Sequence, residues 1–360
     1  MASENIHKDD SILNDIKISK IIPPILIGLL VVVYLMYRQL DIDELRSVAW
    51  NGHMLFWILA SILCYVIRHL AYSWRLRILT DEQFSWPKSV ELIVLWEFAS
   101  AVSPTTIGGA GVAFFLLAQE KLSTAKTVAV VLYSMVVDTL FFVLTVPILY
   151  LLFGSNMIRP GADSGVYDVA FWSVIGFMAI YGLVFFYGLF INPRAIKRLL
   201  FMIAKIPFLK RFKKDLQKTA LDVVVTSTEL RSKPFFFHLR TFTATSIAWV
   251  VRFIAINCII IALVPDVAMD IYNQSLMYAR GESMHIITSF TPTPGGAGFA
   301  EALFGGFYSE YISSGLSTLA ALIWRVITYY SYLIAGAIII PVWIGEVLLR
   351  RQKERASRGF

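Results

Sequence analysis

Six stretches of this sequence run for about the thickness of a bilayer core with almost no charge, which leaves few folds open. A helix rises about 1.5 Å per residue, so about 20 apolar residues cross about 30 Å of hydrocarbon. The stretches are Ile21 to Tyr37, Val48 to Ile67, Thr127 to Phe153 interrupted by Asp138, Val169 to Ile191, Thr241 to Val264 interrupted by Arg252, and Gly315 to Gly345 interrupted by Arg325. Composition agrees: 57% of the 360 residues are hydrophobic and 16% charged, where a soluble domain carries about a quarter charged. An all-α polytopic membrane protein is expected. A soluble nucleic-acid binder is excluded despite the net charge of +7, as are disorder, collagen and a disulfide scaffold. Cys64 and Cys258 lie in apolar stretches and read as small hydrophobes. No small-residue cleavage site follows the first apolar stretch, so it is expected to be a retained span.

Two further apolar regions are broken in the middle. Phe98 to Gln119 contains Ser103-Pro104-Thr105-Thr106-Ile107-Gly108-Gly109-Ala110-Gly111, and Ser283 to Tyr308 contains Thr291-Pro292-Thr293-Pro294-Gly295-Gly296-Ala297-Gly298. Proline removes a backbone donor and glycine permits sharp reversal, so each region reads as a re-entrant hairpin of two half-length helices. Positive-inside counting supports this: with the N-terminus inside and both hairpins returning to their starting side, 25 of the 32 Lys and Arg fall in cytoplasmic segments. Arg68, Arg252 and Arg325 remain inside the membrane.

The two glycine motifs align. Asp138 and Arg325 each follow the last glycine of their motif by 27 residues, Tyr65 to Ala71 resembles Trp249 to Ala255 around Arg68 and Arg252, and Glu97 corresponds to His285. The repeats have opposite orientation in the topology above. Inverted repeats with discontinuous helices belong to alternating-access transporters, whose site forms near the midplane. The expected organisation is a cytoplasmic N-terminus over 1–20, a first span and exterior loop over 21–47, and repeat 1 over 48–153 with its hairpin at 92–118. An exterior loop and connecting span follow over 154–191, then a basic interfacial segment over 192–240, repeat 2 over 241–349 with its hairpin at 283–309, and a basic cytoplasmic tail over 350–360.

A half-helix that starts at a glycine motif points unpaired N–H groups and a positive dipole end at the midplane, which favours an anion. The candidate substrate-binding residues are Thr105, Thr106, Gly108, Gly109 and Gly111 from the first motif, and Thr291, Thr293, Gly295, Gly296 and Gly298 from the second. Arg68, Asp138, Arg252, Glu301 and Arg325 add charge. Ionisable groups at that depth are costly and functional by default. Close helix packing is the competing explanation for the glycines. Asp138 and Arg325 are expected to form a buried pair at the repeat interface, and Glu301 to cap the first turn of its half-helix. No P-loop, His-Glu-x-x-His, Gly-x-Ser-x-Gly or cysteine-pair motif occurs, so neither a catalytic residue nor a cofactor or metal is expected.

Four elements together resemble the flippase-like integral membrane family typified by the transmembrane region of lysylphosphatidylglycerol synthase. They are Ser-Trp-Arg-Leu-Arg at Ser73 to Arg77, Ser103 to Gly111, Val-Val-Asp at Val136 to Asp138, and Thr291 to Glu301. The likeness runs from about Ile21 to Arg351 and implies movement of a phosphate-bearing lipid between leaflets of the cell's inner membrane. With its end at Phe360 the chain is expected not to make lysyl lipid itself. The expected partners are anionic phospholipids or polyprenyl-phosphate lipids, with room for a separate lipid-modifying synthase and a homo-oligomer, and no nucleic acid. The competing classes are a membrane subunit or enzyme of polyprenyl-linked glycan or lipid modification, and a scaffold for a lipid synthase.

Overall fold

A computed structural model describes residues 50–102, 106–161, 165–192, 194, 224–225, 227–289 and 299–357. Among them the regular structure is helical throughout. The helices are α1 (Gly52–Leu79), α2 (Trp86–Val102), α3 (Thr106–Gln119), α4 (Thr124–Phe153), α5 (Gly165–Phe186), α6 (Phe235–Leu263), α7 (Ile271–Thr288), α8 (Phe299–Phe307), α9 (Ser314–Arg325) and α10 (Ser331–Ser357). A wide turn over Val326–Tyr330 joins α9 to α10 without a break. Five helical stretches are long and apolar enough to cross a membrane: Gly52–Leu79, Thr124–Met157, Phe171–Ile191, Phe235–Leu263 and Ser314–Arg350. They correspond to five of the six apolar stretches. The sixth, Ile21 to Tyr37, lies outside the described residues, as does most of the basic segment 192–240.

Local chemistry sets the helix starts. The Asn51 side chain accepts from the Met54 N–H at 2.8 Å, Ser123 accepts from Lys126 at 3.1 Å, and Asp270 accepts from Asn273 at 3.0 Å. Each satisfies an N–H that the first turn leaves bare. Asp81 and Glu82, both at positive φ, turn the chain from α1 to α2.

The short helices α2/α3 and α7/α8 flank the two glycine motifs. Their first arms begin at Trp86 and Ile271, earlier than the apolar runs suggested. Most charges that interrupt these arms are compensated within the bundle, Glu91 by Lys88, Glu97 by Arg68 and Arg280 by Glu310, while Glu282 is met by the Thr145 hydroxyl. Helix therefore continues through them. In the first motif α3 starts at Thr106, so Gly108, Gly109 and Gly111 lie in its opening turns.

Helix α6 is the spine. Of its apolar window 61% is buried, against 22–33% in the other four spans, whose outward faces carry Leu55, Phe56, Leu63, Phe177, Ile180 and Ile338 as a lipid-facing surface. It packs antiparallel along α1. Ser61 donates to the Ala255 carbonyl at 3.0 Å, Tyr72 meets Trp249 edge-on, and Arg75 donates to Thr245 at 3.2 Å. Residue numbers rise on one helix as they fall on the other, so Arg68 and Arg252 stand at about the same level. Gly336 lets α10 approach α2 so closely that a Cβ there would collide with the Phe98 ring.

The two ends of the bundle differ in charge. One gathers Asp81, Lys88, Glu120, Lys126, Lys233 and Arg350 into ion pairs. The other holds Asn156, Asp270, Asn273, Glu310 and Tyr311.

Candidate functional site

Two buried arginines, Arg68 and Arg75, and their carboxylate partners gather around the crossing of α1 and α6. Arg68 is 3% exposed; its Nη2 donates to Glu97 Oε1 at 2.7 Å and its Nη1 to the Tyr332 hydroxyl at 3.1 Å. His69 Nε2 lies 3.1 Å from the Val90 carbonyl, which only accepts, so that nitrogen carries the proton. Nδ1 then accepts from Tyr332 at 3.1 Å. A directed chain runs from Arg68 through Tyr332 and His69 to the backbone of α2.

Two turns along α1, Arg75 repeats the arrangement with another partner. Its Nη1 donates to Asp138 Oδ1 at 2.6 Å, and the Trp249 indole N–H donates to the same oxygen at 2.9 Å. The Tyr72 ring stands between the two guanidiniums, 4.8 Å from that of Arg68 and 4.5 Å from that of Arg75. Cations over aromatic faces gain electrostatic stabilisation, more when desolvated.

The expected pair of Asp138 with Arg325 is therefore corrected: Asp138 belongs to Arg75. Arg325, also buried, lies with its guanidinium 4.2 Å from the Tyr329 ring centroid. Equal spacing from equivalent motifs fixes depth along a helix and says nothing of the face, and on α4 the face of Asp138 turns to α1 and α6.

Arg252 differs from Arg68 and Arg75. It is half-buried, its guanidinium lies 5.3 Å from the Trp249 ring centroid, and no carboxylate among the described residues pairs with it. Beside it His285 on α7 sits among Trp249, Phe142 and Phe253, with ring centroids at 4.7, 5.6 and 5.9 Å. The charge positions of the two halves are thus unequal. Arg68 has Glu97 on the first hairpin; Arg252 has a histidine at the corresponding place.

Thr105, Thr291, Thr293, Gly295, Gly296 and Gly298 lie outside the described residues. Thr106 opens α3, and Glu301 falls in the first turn of α8. Of the candidates, the structure brings Arg68, Asp138 and Arg252 to the α1/α6 crossing. The sequence reading passed over Arg75, although Arg68 and Arg75 are seven residues apart and so share a helix face. It also passed over Glu282, fully buried on α7, because Glu282 stands one residue before the uncharged run.

At the basic end, outside the membrane-spanning segments, Glu120 receives the Arg350 guanidinium at 2.9 and 3.0 Å and the Trp343 N–H at 2.6 Å, with Lys88 3.2 Å away. Burial pushes its carboxyl up, but the hydrogen bonds from Arg350 and Trp343 and the Lys88 charge outweigh that and hold it below the usual glutamate range. Asp81 is held low in the same sense, burial being overcome by Lys126 and Lys233.

Comparison with known proteins agrees with this architecture. The model of the family described as the lysylphosphatidylglycerol synthase TM region matches residues 21–336. A UPF0104 membrane protein of Archaeoglobus fulgidus is 22% identical over 334 residues, which cover 87% of this chain and 95% of that protein.

Proposed function

We infer that this chain, which belongs to the lysylphosphatidylglycerol synthase transmembrane-region family, is a translocator that carries a phosphate-bearing lipid between leaflets. The observation that carries the reading is Arg252. Placing an arginine in the membrane costs about 2.5 to 3.5 kcal/mol on insertion scales. For Arg68 and Arg75 a carboxylate offsets that cost; among the described residues Arg252 has the Trp249 face and no carboxylate. An anion that arrives during the working cycle completes it, and a planar guanidinium matches phosphate with two parallel hydrogen bonds. The opening turns of α3 and α8 add peptide dipoles of the right sign. Acyl chains remain in the bilayer along the exposed apolar faces.

In this reading the short-helix pairs are re-entrant, the basic end faces the cytoplasm, and both termini lie there in the cytoplasmic membrane. The protein binds and moves its lipid without a chemical step. Anionic phospholipids and polyprenyl phosphates are the fitting substrates, and a separately encoded synthase or a homo-oligomeric assembly is compatible with the same site.

The test is reconstitution into phosphatidylcholine vesicles carrying trace fluorescent phosphatidylglycerol, with leaflet exchange read by dithionite quenching. Wild type should exchange the probe faster than protein-free vesicles, and Arg252→Gln should lose about tenfold or more, the scale of one charge-assisted contact. Exchange by wild type no faster than in protein-free vesicles would overturn the reading.

A further inference from the structure

Among the described residues Glu282 is the one acidic side chain that the site described above does not use and that lies wholly inside the bundle. It is 0% exposed. It stands eleven residues into α7 from Ile271, about 16 Å from the helix start and so about half a hydrocarbon core deep. Oε1 accepts from the Thr145 hydroxyl of α4, the Tyr278 hydroxyl lies beside the carboxyl, and Oε2 is buried without a hydrogen-bond partner. A carboxylate in that place lacks the cation that would offset its desolvation.

A cation that no carboxylate among the described residues pairs with stands on the facing helix. Helices α6 and α7 meet through Phe253 and Tyr278, through Trp249 and His285, and at Gly281, where a Cβ would stand 3.4 Å from both Phe253 and Ile256. Arg252 lies in that same stretch of α6. In the first half of the chain the corresponding arginine, Arg68, is closed onto Glu97 of its hairpin. In the second half His285 takes the position of Glu97, and a carboxyl, Glu282, stands one turn earlier on α7 without pairing to the arginine. Glu282 turns to Thr145 and Arg252 to Trp249.

We propose that Glu282 is a proton-binding site linked to headgroup binding at Arg252: ionised, it closes onto Arg252 and excludes the lipid phosphate; protonated, it turns to Thr145 and leaves Arg252 to the phosphate. The proposal rests on the translocator reading and adds its coupling ion. The balance is simple. One proton from water joins the Glu282 carboxylate as one lipid phosphate monoanion joins Arg252, so the loaded site gains no net charge. Other charged or titratable groups lie on the elements around Glu282. They are Tyr278, Arg280 and His285 on α7, Arg252 on α6, Asp138 on α4, Asp168 on α5 and Glu301 on α8. Arg280 is taken by Glu310 and Asp138 by Arg75; His285, packed on Trp249 beside Arg252, is the nearest of the remainder to the arginine and is the control for an imitated effect.

The experiment measures binding in detergent, apart from translocation, with fluorescent phosphatidylglycerol as probe. Its phosphate stays ionised throughout, so the probe itself adds no slope. Linkage of one proton to one lipid predicts that affinity rises as pH falls, by up to about tenfold per unit wherever the free site is ionised and the loaded site protonated. In weakly buffered solution, probe binding to wild type should take up close to one proton.

Glu282→Gln should bind tightly at every pH, Glu282→Asp should restore a slope, and His285→Gln should keep the wild-type slope. A flat wild-type profile, no proton uptake, or an unchanged slope in Glu282→Gln overturns the proposal. A slope lost in His285→Gln moves the proton to that residue and overturns it equally. Inorganic phosphate at about a hundredfold excess should fail to displace the probe, since burial of the chains adds most of the affinity; displacement would assign the site to free phosphate and overturn lipid linkage. Because these are binding measurements, absence of leaflet exchange in vesicles would defeat the translocator reading while leaving the proton linkage visible.

Discussion

Arg75 and Asp138 form the contact on which the centre of the molecule is set, with side chains 9% and 27% exposed at a separation of 2.6 Å. Removing one partner strands the other in a poorly solvated place, at about 3 kcal/mol. Arg75→Gln and Asp138→Asn should therefore each lower thermal stability in detergent, and the double variant should cost less than the two losses added. Arg325→Gln combined with Asp138→Asn should be additive instead, since no contact joins that pair. Additivity for Arg75 with Asp138 would mean that the observed pair contributes nothing to stability. The sequence made the relative depth of Asp138 legible, because equal spacing from equivalent helix breaks, out along one helix and back along the next, sets equal depth. Its partner was not legible, because that depends on the face each helix turns to its neighbours, and a single residue of phase rotates a side chain by about 100°. Arg75 was readable from its two-turn spacing to Arg68, yet it follows the apolar window that located the span.

Among the elements, the long apolar helices were the most legible, because uncharged length is the physical requirement itself. The first arms of the two broken regions were less so. Their charges at Lys88, Glu91, Arg280 and Glu282 resemble an aqueous boundary until their partners are known. Glu120 shows what such partners do for α3, whose end it ties to α10 through Arg350 and Trp343 and to α2 through Lys88. Its carboxyl is held below the glutamate range, so the folded state binds the proton less readily than the unfolded chain. The stabilisation is then complete above the unfolded value of about 4.3 and is lost as pH falls through the lower folded value. Glu120→Gln should accordingly melt below wild type at about pH 6, and the gap between the two should narrow towards about pH 3. Comparing the gap removes the parallel contribution of Asp81. A gap that stays constant or widens on acidification would show that Glu120 is not stabilised by its cations.

The whole molecule adds a constraint that neither residues nor elements carry alone, namely which ends of the helices share a side. Lys121 joins α3 to α4 beside Glu120 and Lys126, and so belongs to the basic end with Asp81, Lys233 and Arg350. Ser313 precedes α9, two residues after Tyr311, whose hydroxyl is 3.3 Å from Asn273 at the start of α7. Helix α7 starts where α6 ends, and α6 runs from the basic end to the other. Lys121 and Ser313 are therefore at opposite ends of the bundle, as two hairpins entering from opposite sides demand. In a background with Cys64 and Cys258 replaced by serine and alanine, Lys121→Cys and Ser313→Cys should react with a membrane-impermeant maleimide from opposite sides of sealed vesicles. Positive-inside bias predicts that Lys121→Cys is the cytoplasmic one. Reaction of both from the same side would require one broken region to cross the membrane completely, which would place Arg68 and Arg252 in parallel rather than opposed halves. It would also remove the reason to expect Glu282 to do for Arg252 what Glu97 does for Arg68.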